Sequence, residues 1–278
     1  MPDDDDTTNS KGAIGRYVIS PDTHVPYHDI PAFNCLLGAI KVVRPDGFID
    51  IGDFWEGEAA SHWNWRKRKR PPLEYQLREI DRELILANKW MDKRDAVLDA
   101  CGVNIREYIQ GNHDDWLDRL VEENPFLEHT KSPCGTGYKF RDAFRLEERG
   151  YRFHPLGKYF KLGKLAFYHG HHYGGIHHAS NHLRKLGANV MYGHRHDVQE
   201  DSISHLDGKK AAWCIGCLKS FKHEHGNEFM GRRAHNWAHA FAIVDFWRGG
   251  NFTVDVVRIT GGRCSVWGHL IDGNKKKG

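Results

Sequence analysis

Carboxylate and imidazole side chains, the groups that hold divalent metals and move protons, recur in this sequence in five short turns. Asp22 and His24 stand two apart in Pro21-Asp22-Thr23-His24, and Asp53 follows Gly52. Gly111-Asn112-His113-Asp114 packs an amide, an imidazole and a carboxylate into four residues. His169 precedes Gly170, with His171 and His172 next, and Gly193-His194-Arg195-His196 closes the series. Each turn is weak alone: Asp-x-His reads first as a turn, and Gly-Asn-His-Asp is good turn-and-cap chemistry. As a set they supply Asp22, His24, Asp53, Asn112, His169, His194 and His196, a mixture of ligands that suits Mn, Fe or Zn. One aspartate shared by two metals about 3.5–4 Å apart is the usual arrangement of a two-metal hydrolase.

Such ligands act together only if the chain brings their turns to one place. The segments before the turns do read as strands: Arg16 to Ser20, Phe48 to Ile51, Ile105 to Gln110, Lys164 to Tyr168 and Asn189 to Tyr192. Ile105-Arg106-Glu107-Tyr108-Ile109-Gln110 alternates apolar and polar like a half-buried strand. Pro31 opens a helical run through Leu36, Leu37, Ile40 and Val43, so the first two strands form a parallel strand–helix–strand unit. Their two Asp-bearing turns then fall on the same edge of one sheet, where open α/β sheets present ligand-binding groups. Residues 57 to 103 are a long excursion holding a second helix, with Leu73, Leu77, Ile80, Leu84, Ala87 and Met91 on one face. Ile176 to Leu186 reads as a helix stopped by Gly187. Beyond residue 197 the chain is strand-rich, with a hairpin turn at Arg248-Gly249-Gly250-Asn251. No repeat and no linker is visible. The expectation is a single domain over residues 15–272, between an acidic tail at 1–14 and a lysine-bearing tail at 273–278.

Composition narrows the class. The 278 residues are 40% hydrophobic and 28% charged, which fits a soluble globular protein with a sizeable core. No run of about 18 apolar residues is present, so no spanning helix is expected. Met-Pro followed by Asp3 to Asp6 is the opposite of a secretory signal, and a cytoplasmic location follows as the expectation. The net charge of +3 is too small to argue for nucleic acid by itself. Cys214-x-x-Cys217 has zinc-ligand spacing but no second pair, and its apolar setting favours core thiols. The unusual figure is 20 histidines, several of them clustered.

The order Asp22-x-His24, Gly52-Asp53, Gly111-Asn112-His113-Asp114, His169-Gly170, Gly193-His194-x-His196 resembles the calcineurin-like metallophosphoesterases, whose five motifs it matches across roughly residues 17 to 197. The resemblance implies an α/β fold, an αββα sandwich of two mixed sheets flanked by helices, with the strand-rich end after residue 197 building the second sheet. It implies two divalent ions, Mn2+ first, with Fe, Zn or Ni as alternatives. Asp22, His24 and His196 would hold one ion, Asn112, His169 and His194 the other, and Asp53 would bridge them. His169 is taken over His171 because it directly precedes a glycine; His171 and His172 stay open as ligands. Hydroxide formed between the ions would attack phosphorus in line. His113 would face the substrate phosphate, with Asn112 helping to neutralise its charge and Glu56 accepting the imidazole N–H of His113. The remaining histidines, including His177, His178, His182, His223, His225, His235 and His239, read as surface or supporting residues.

Departures from the family bear on the substrate. Its protein Ser/Thr phosphatases carry Gly-Asp-x-x-Asp-Arg-Gly, whereas Gly52-Asp53-Phe54-Trp55-Glu56-Gly57 lacks the phosphate-gripping arginine. That points to the phosphodiesterase or nuclease branch, with Arg195, Arg232 or Arg233 as substitutes for the missing cation. The other readings are a phosphomonoesterase or protein phosphatase, and a catalytically silent nucleic-acid-binding protein on the same fold. Trp63 and Trp65 run into Arg66-Lys67-Arg68-Lys69-Arg70, a solvated basic face or a grip on nucleic acid or nucleotide.

Overall fold

The structure, a computed structural model, describes residues 15–62, 69–206, 208–222, 224–225, 227 and 236–275. Its first sheet is built on three parallel strands: β1 (Gly15–Ser20), β2 (Gly47–Asp50) and β3 (Ile105–Ile109), joined by β4 (Tyr151–His154) on one side. Asp50 pairs with Ser20 on one side and Tyr108 on the other, so the three strands end level and release their turns on the same edge. The second sheet runs β5 (Phe160–Leu162), β6 (Leu165–Phe167), β7 (Asn189–Tyr192), β9 (Gly208–Ile215) and β8 (Val198–His205). Then β10 (Ala240–Trp247) and β11 (Asn251–Arg258) return to the first sheet, giving the order β11-β10-β1-β2-β3-β4. A small hairpin, β12 (Arg263–Val266) with β13 (His269–Asp272), closes the chain.

Alternation along the strands sorts the side chains into layers. Tyr17 and Ile19 of β1, Ile49 of β2 and Ile109 of β3 meet Leu165, Phe167, Met191 and Ile215 of the second sheet. Val18, Phe48 and Tyr108, one residue out of phase, face the opposite way into a cluster with α1 (Ile30–Val43), α2 (Leu73–Ala100) and α3 (Asn112–Glu123). On the second sheet's far side, Val190, Tyr192, Ala212 and Cys214 pack on Ala179 and Leu183 of α5 (His178–Leu186), which Gly187 ends at φ 60°. The mixed α/β sandwich of two sheets between helices is therefore as the sequence predicts. One expectation is corrected: the second sheet does not wait for residue 197 but begins at Phe160, and β10 and β11 rejoin the first sheet. Apolar patterning fixes which face of a strand is buried, not which sheet the strand joins. Residues 125–150 hold a short 3-10 turn at Pro125–His129 and α4 (Phe140–Ala143). Among the described residues, no helix is long and apolar enough to cross a membrane.

Candidate metal centre

The two sheets bring their C-terminal edges together, and the five turns meet there. His169 follows β6 and His194 and His196 follow β7, so the second sheet supplies the imidazoles that complete the aspartates of the first. The backbone at the ligands is held in the left-handed region: φ is 56° at His24, 53° at Asp53, 61° at His194 and 62° at His196. Each such non-glycine residue costs about 1–3 kcal/mol, a strain that clusters at functional sites. Glycines permit the contact between turns. A Cβ on Gly111 would lie 2.1 Å from Asp53 Oδ1, one on Gly193 would lie 2.0 Å from Asp22 Oδ1, and one on Gly52 would lie 2.4 Å from Gly111 N.

Two further carboxylates brace these turns. Asp114 Oδ2 accepts from Asp53 N at 3.0 Å, Gly111 N at 2.9 Å and the Tyr108 hydroxyl at 3.0 Å, so the acid at the start of α3 ties the second turn to the third. Asp50 accepts from Gly52 N at 3.0 Å and pairs with Arg94 of α2, a guanidinium wholly buried against Phe48 and Phe54. The helix in the long excursion thus buttresses the Asp53 turn.

The ligand atoms form two groups with Asp53 between them. His196 Nε2 lies 3.1 Å from Asp22 Oδ2 and 3.0 Å from His24 Nε2. His169 Nε2 lies 2.9 Å from Asn112 Oδ1, 3.1 Å from Asp53 Oδ2 and 3.2 Å from His194 Nδ1. Asp53 Oδ2 is also 3.8 Å from His24 Nε2. Asp22, His24, Asp53 and His169 are buried. Imidazole nitrogens that face each other and face carboxylates at about 3 Å converge as a donor set that a cation would satisfy, and among the described residues Asp22 Oδ1 is buried without a hydrogen-bond partner. The donor set therefore fits divalent metal ions. Titration agrees. Burial opposes a charge on His169, but the Asp53 carboxylate beside it wins and raises it to about 10. Burial likewise pushes Asp53 up, and the His169, His113 and His24 imidazoles overcome it and hold the carboxyl well below its usual range. His169 Nδ1 donates to the Ile51 carbonyl at 2.9 Å, which leaves Nε2 as the ring atom turned inward to the ligand cluster.

His113 stands at the rim. Its Nδ1 meets the main-chain carbonyl of Glu56 at 2.6 Å, its ring lies 4.0 Å from Trp116, and its Nε2 is 4.0 Å from Asp53 Oδ2. The expected role of the Glu56 carboxylate is corrected here. It lies 2.8 Å from His24 Nδ1 and is gripped by Lys219 Nζ at 2.9 and 2.8 Å, while only the Glu56 backbone serves His113. Burial opposes ionisation of Glu56, yet His24 and Lys219 hold it at about 2. Lys219 is itself buried, and nothing in its apolar surroundings singles it out in sequence.

Other candidates fall elsewhere. Arg195 lies with its guanidinium against the loop at Gly174. Trp63, Trp65, Arg66, Lys67, Arg68, Arg232, Arg233, His223 and His235 lie outside the described residues. At the end of the basic run, Arg70 is committed to Glu123 at 2.7 Å and Gln76 at 3.2 Å. Among the described residues, His171 and His172 join no group of close-set ligand atoms, whereas His169 does. His178 and His182 are core residues rather than surface ones. His178 bonds Tyr192 Oη at 2.6 Å and Asp197 Oδ2 at 3.0 Å, bracing the residue after His196. Cys214 and Cys217 are buried free thiols, and Cys214 stands with His178 and Asp197 in a further group of close-set ligand atoms.

The glycine contacts give a test. Gly193→Ala is expected to unseat Asp22, lower the metal content and cost roughly 1–3 kcal/mol through overpacking. Gly187→Ala, whose Cβ would meet nothing within 4 Å, should cost only the left-handed penalty of about 1 kcal/mol and leave the metal content intact. Elemental analysis and thermal melts read both; full metal in Gly193→Ala would contradict the packing.

No protein-family model matches the chain. It matches the gene 54 proteins of Mycobacterium phages D29 and L5, each 25% identical, over 92% of this chain and 98% of the relative. Among solved structures it is similar to Vps29 of Entamoeba histolytica, at 11% identity over 92% of this chain and 98% of that one, with a TM-score of 0.44. Yfce, a phosphoesterase from E. coli, aligns at 12% identity over 83% and 88% of the two chains, TM-score 0.36. A dimetal phosphatase from Danio rerio aligns at 11% identity over 87% and 98%, TM-score 0.38. In its own two-sheet sandwich and in the order of its five ligand-bearing turns, the chain resembles the calcineurin-like metallophosphoesterases.

Proposed function

We propose that this chain is a two-metal-dependent phosphoesterase that hydrolyses phosphodiesters. The observation that carries the reading is the meeting of Asp22, His24, Asp53, Asn112, His169, His194 and His196 from two sheets, with His113 at the partly exposed rim beside Asp53. Two divalent ions, when bound, would supply Lewis acidity to a phosphoryl oxygen and hydroxide from water at neutral pH. Asp22, His24 and His196 would hold one ion, Asn112, His169 and His194 the other, and Asp53 would serve both. With Nδ1 committed to the Glu56 carbonyl, His113 has Nε2 as the atom that donates to a phosphoryl oxygen or protonates the leaving group. Asn112 turns Oδ1 to the ligand cluster, which leaves its NH2 as the donor to substrate.

The diester preference follows from charge. A monoester dianion calls for a cation beyond the metals, the role bidentate arginine usually fills. The Asp53 turn has no arginine, and the nearby Lys219 is neutralised by Glu56. A diester monoanion makes no such demand. Nucleic acid or a nucleotide is the diester class that the expected basic run would favour. The test is hydrolysis of bis(4-nitrophenyl) phosphate against 4-nitrophenyl phosphate. Turnover is expected to vanish with chelator, return with Mn2+, and favour the diester. A preference for the monoester would replace the reading with phosphomonoesterase, and inert protein carrying two ions would leave a binding role on the same fold.

A further inference from the structure

The first ligand group is bordered by aromatic side chains on stretches sewn to its turns. Leu218 N donates to Asp22 O at 2.7 Å and Ser220 N to Tyr27 O at 2.7 Å, while Tyr27 N donates to His24 O at 2.7 Å. From the other side Ala238 N donates to His196 O at 2.8 Å. These stretches carry Phe221 and Trp237. The Trp237 ring stands edge-on to His196 at 4.5 Å, and Phe221 lies 6.1 Å from Trp237 and stacks on His239 at 4.0 Å. Next to the His24 turn, Tyr27 stacks on His225 at 5.5 Å and 13°. Phe221 stays 36% exposed although a sheet core lies close by, and Tyr27 and Trp237 are only half-buried. Behind them Asn227 gives both hydrogens of its amide to Ser220 O and Lys222 O, and among the described residues its buried Oδ1 accepts from no group.

A wet aromatic face on backbone pinned to metal-binding turns is suited to stacking rather than to folding. Stacking of a base on an aromatic side chain contributes about 1–3 kcal/mol and tolerates any base, because every base has a π-face. We propose that Phe221 and Trp237, with Tyr27 and His225 beside the same turn, form a subsite for an unpaired nucleobase joined to the scissile phosphate. This rests on the phosphodiesterase reading and names its substrate as single-stranded nucleic acid or a nucleotide diester. Trp237 touches a ligand ring, so it is the wrong residue to change first. Phe221 stacks instead on His239, which is not one of the seven ligands.

The experiment compares two diesters with one leaving group, thymidine 5′-(4-nitrophenyl) phosphate and ethyl 4-nitrophenyl phosphate, on the Mn2+-loaded full chain. Wild type is expected to favour the nucleoside ester in kcat/KM by tenfold or more. Phe221→Ala should shrink that preference by about 5- to 100-fold, mostly through KM, and Phe221→Tyr should restore it. An unchanged preference in Phe221→Ala overturns the subsite. Binding of fluorescent (dT)6 against an abasic oligomer of equal charge separates this from the function itself. Should both diesters prove inert, the phosphodiesterase reading fails. The subsite then stands or falls on whether Phe221→Ala removes the preference for (dT)6 over the abasic strand.

Discussion

Asp53→Asn is expected to strip the metals and the activity together. The carboxylate is placed beside both ligand clusters, with Oδ2 3.1 Å from His169 Nε2 and 3.8 Å from His24 Nε2. An amide keeps the shape and one acceptor, so His113 N can still donate to the Oδ1 position it now meets at 2.8 Å. What is lost is a negative charge that three imidazoles hold ionised against burial. Without it the site has Asp22 as its remaining ligand carboxylate, and two divalent ions would face a set of mostly neutral donors. Several kcal/mol of transition-state stabilisation is at stake in a metal site, so turnover should fall by roughly 10³-fold or more. Elemental analysis should find well under two ions per chain, and circular dichroism should find the sandwich intact. A variant with full metal and full turnover would remove Asp53 from the centre and with it the two-metal reading.

Much of this centre is legible before folding because each ligand pair sits directly after a strand. The strands' own alternation announces them, and Gly52, Gly111 and Gly193 mark where backbone must pass close to a carboxylate. The supporting groups are harder to read. Lys219 is 163 residues from Glu56, and a lone lysine after an apolar strand carries no local sign of its partner. Glu56 sits where a carboxylate is expected to hold His113. The longer side chain goes past that ring to His24, and the main chain takes over the job. Arg94 did leave a signal. It continues the apolar stripe of Ile80, Leu84, Ala87 and Met91, and a charge on a buried stripe demands a buried partner, here Asp50. The sheet membership of β10 and β11 was not legible: they read like any other half-buried strands, and only tertiary packing sends them back beside β1.

His113→Ala should do the opposite of Asp53→Asn, keeping both ions while kcat falls roughly 10²-fold or more. The ring is fixed on two sides, by Trp116 at 4.0 Å and by the Glu56 carbonyl at Nδ1, so Nε2 is presented in one orientation at the rim. Its side chain retains 18% exposure, unlike His24 or His169 at 1%, as a group that meets substrate must. A competing assignment is geometrically open, because His24, Asp53 and His113 also bring one ligand atom each within 4.8 Å of one another. Metal content decides between them: an ion lost with His113→Ala makes the residue a ligand, whereas two retained ions with slow turnover make it the proton donor. Glu56→Gln sharpens the distinction. Were the carboxylate orienting His113, this change would lower kcat at constant metal affinity. Because the carboxylate instead backs His24 and Lys219, the expected result is weaker metal binding at the Asp22–His24–His196 group. A drop in stability of about 3–5 kcal/mol should accompany it, from leaving the Lys219 ammonium buried without its counter-charge. Lys219→Met added to Glu56→Gln should recover that stability without recovering metal affinity, since the backbone carbonyl holding His113 is untouched in both while the support behind His24 is gone.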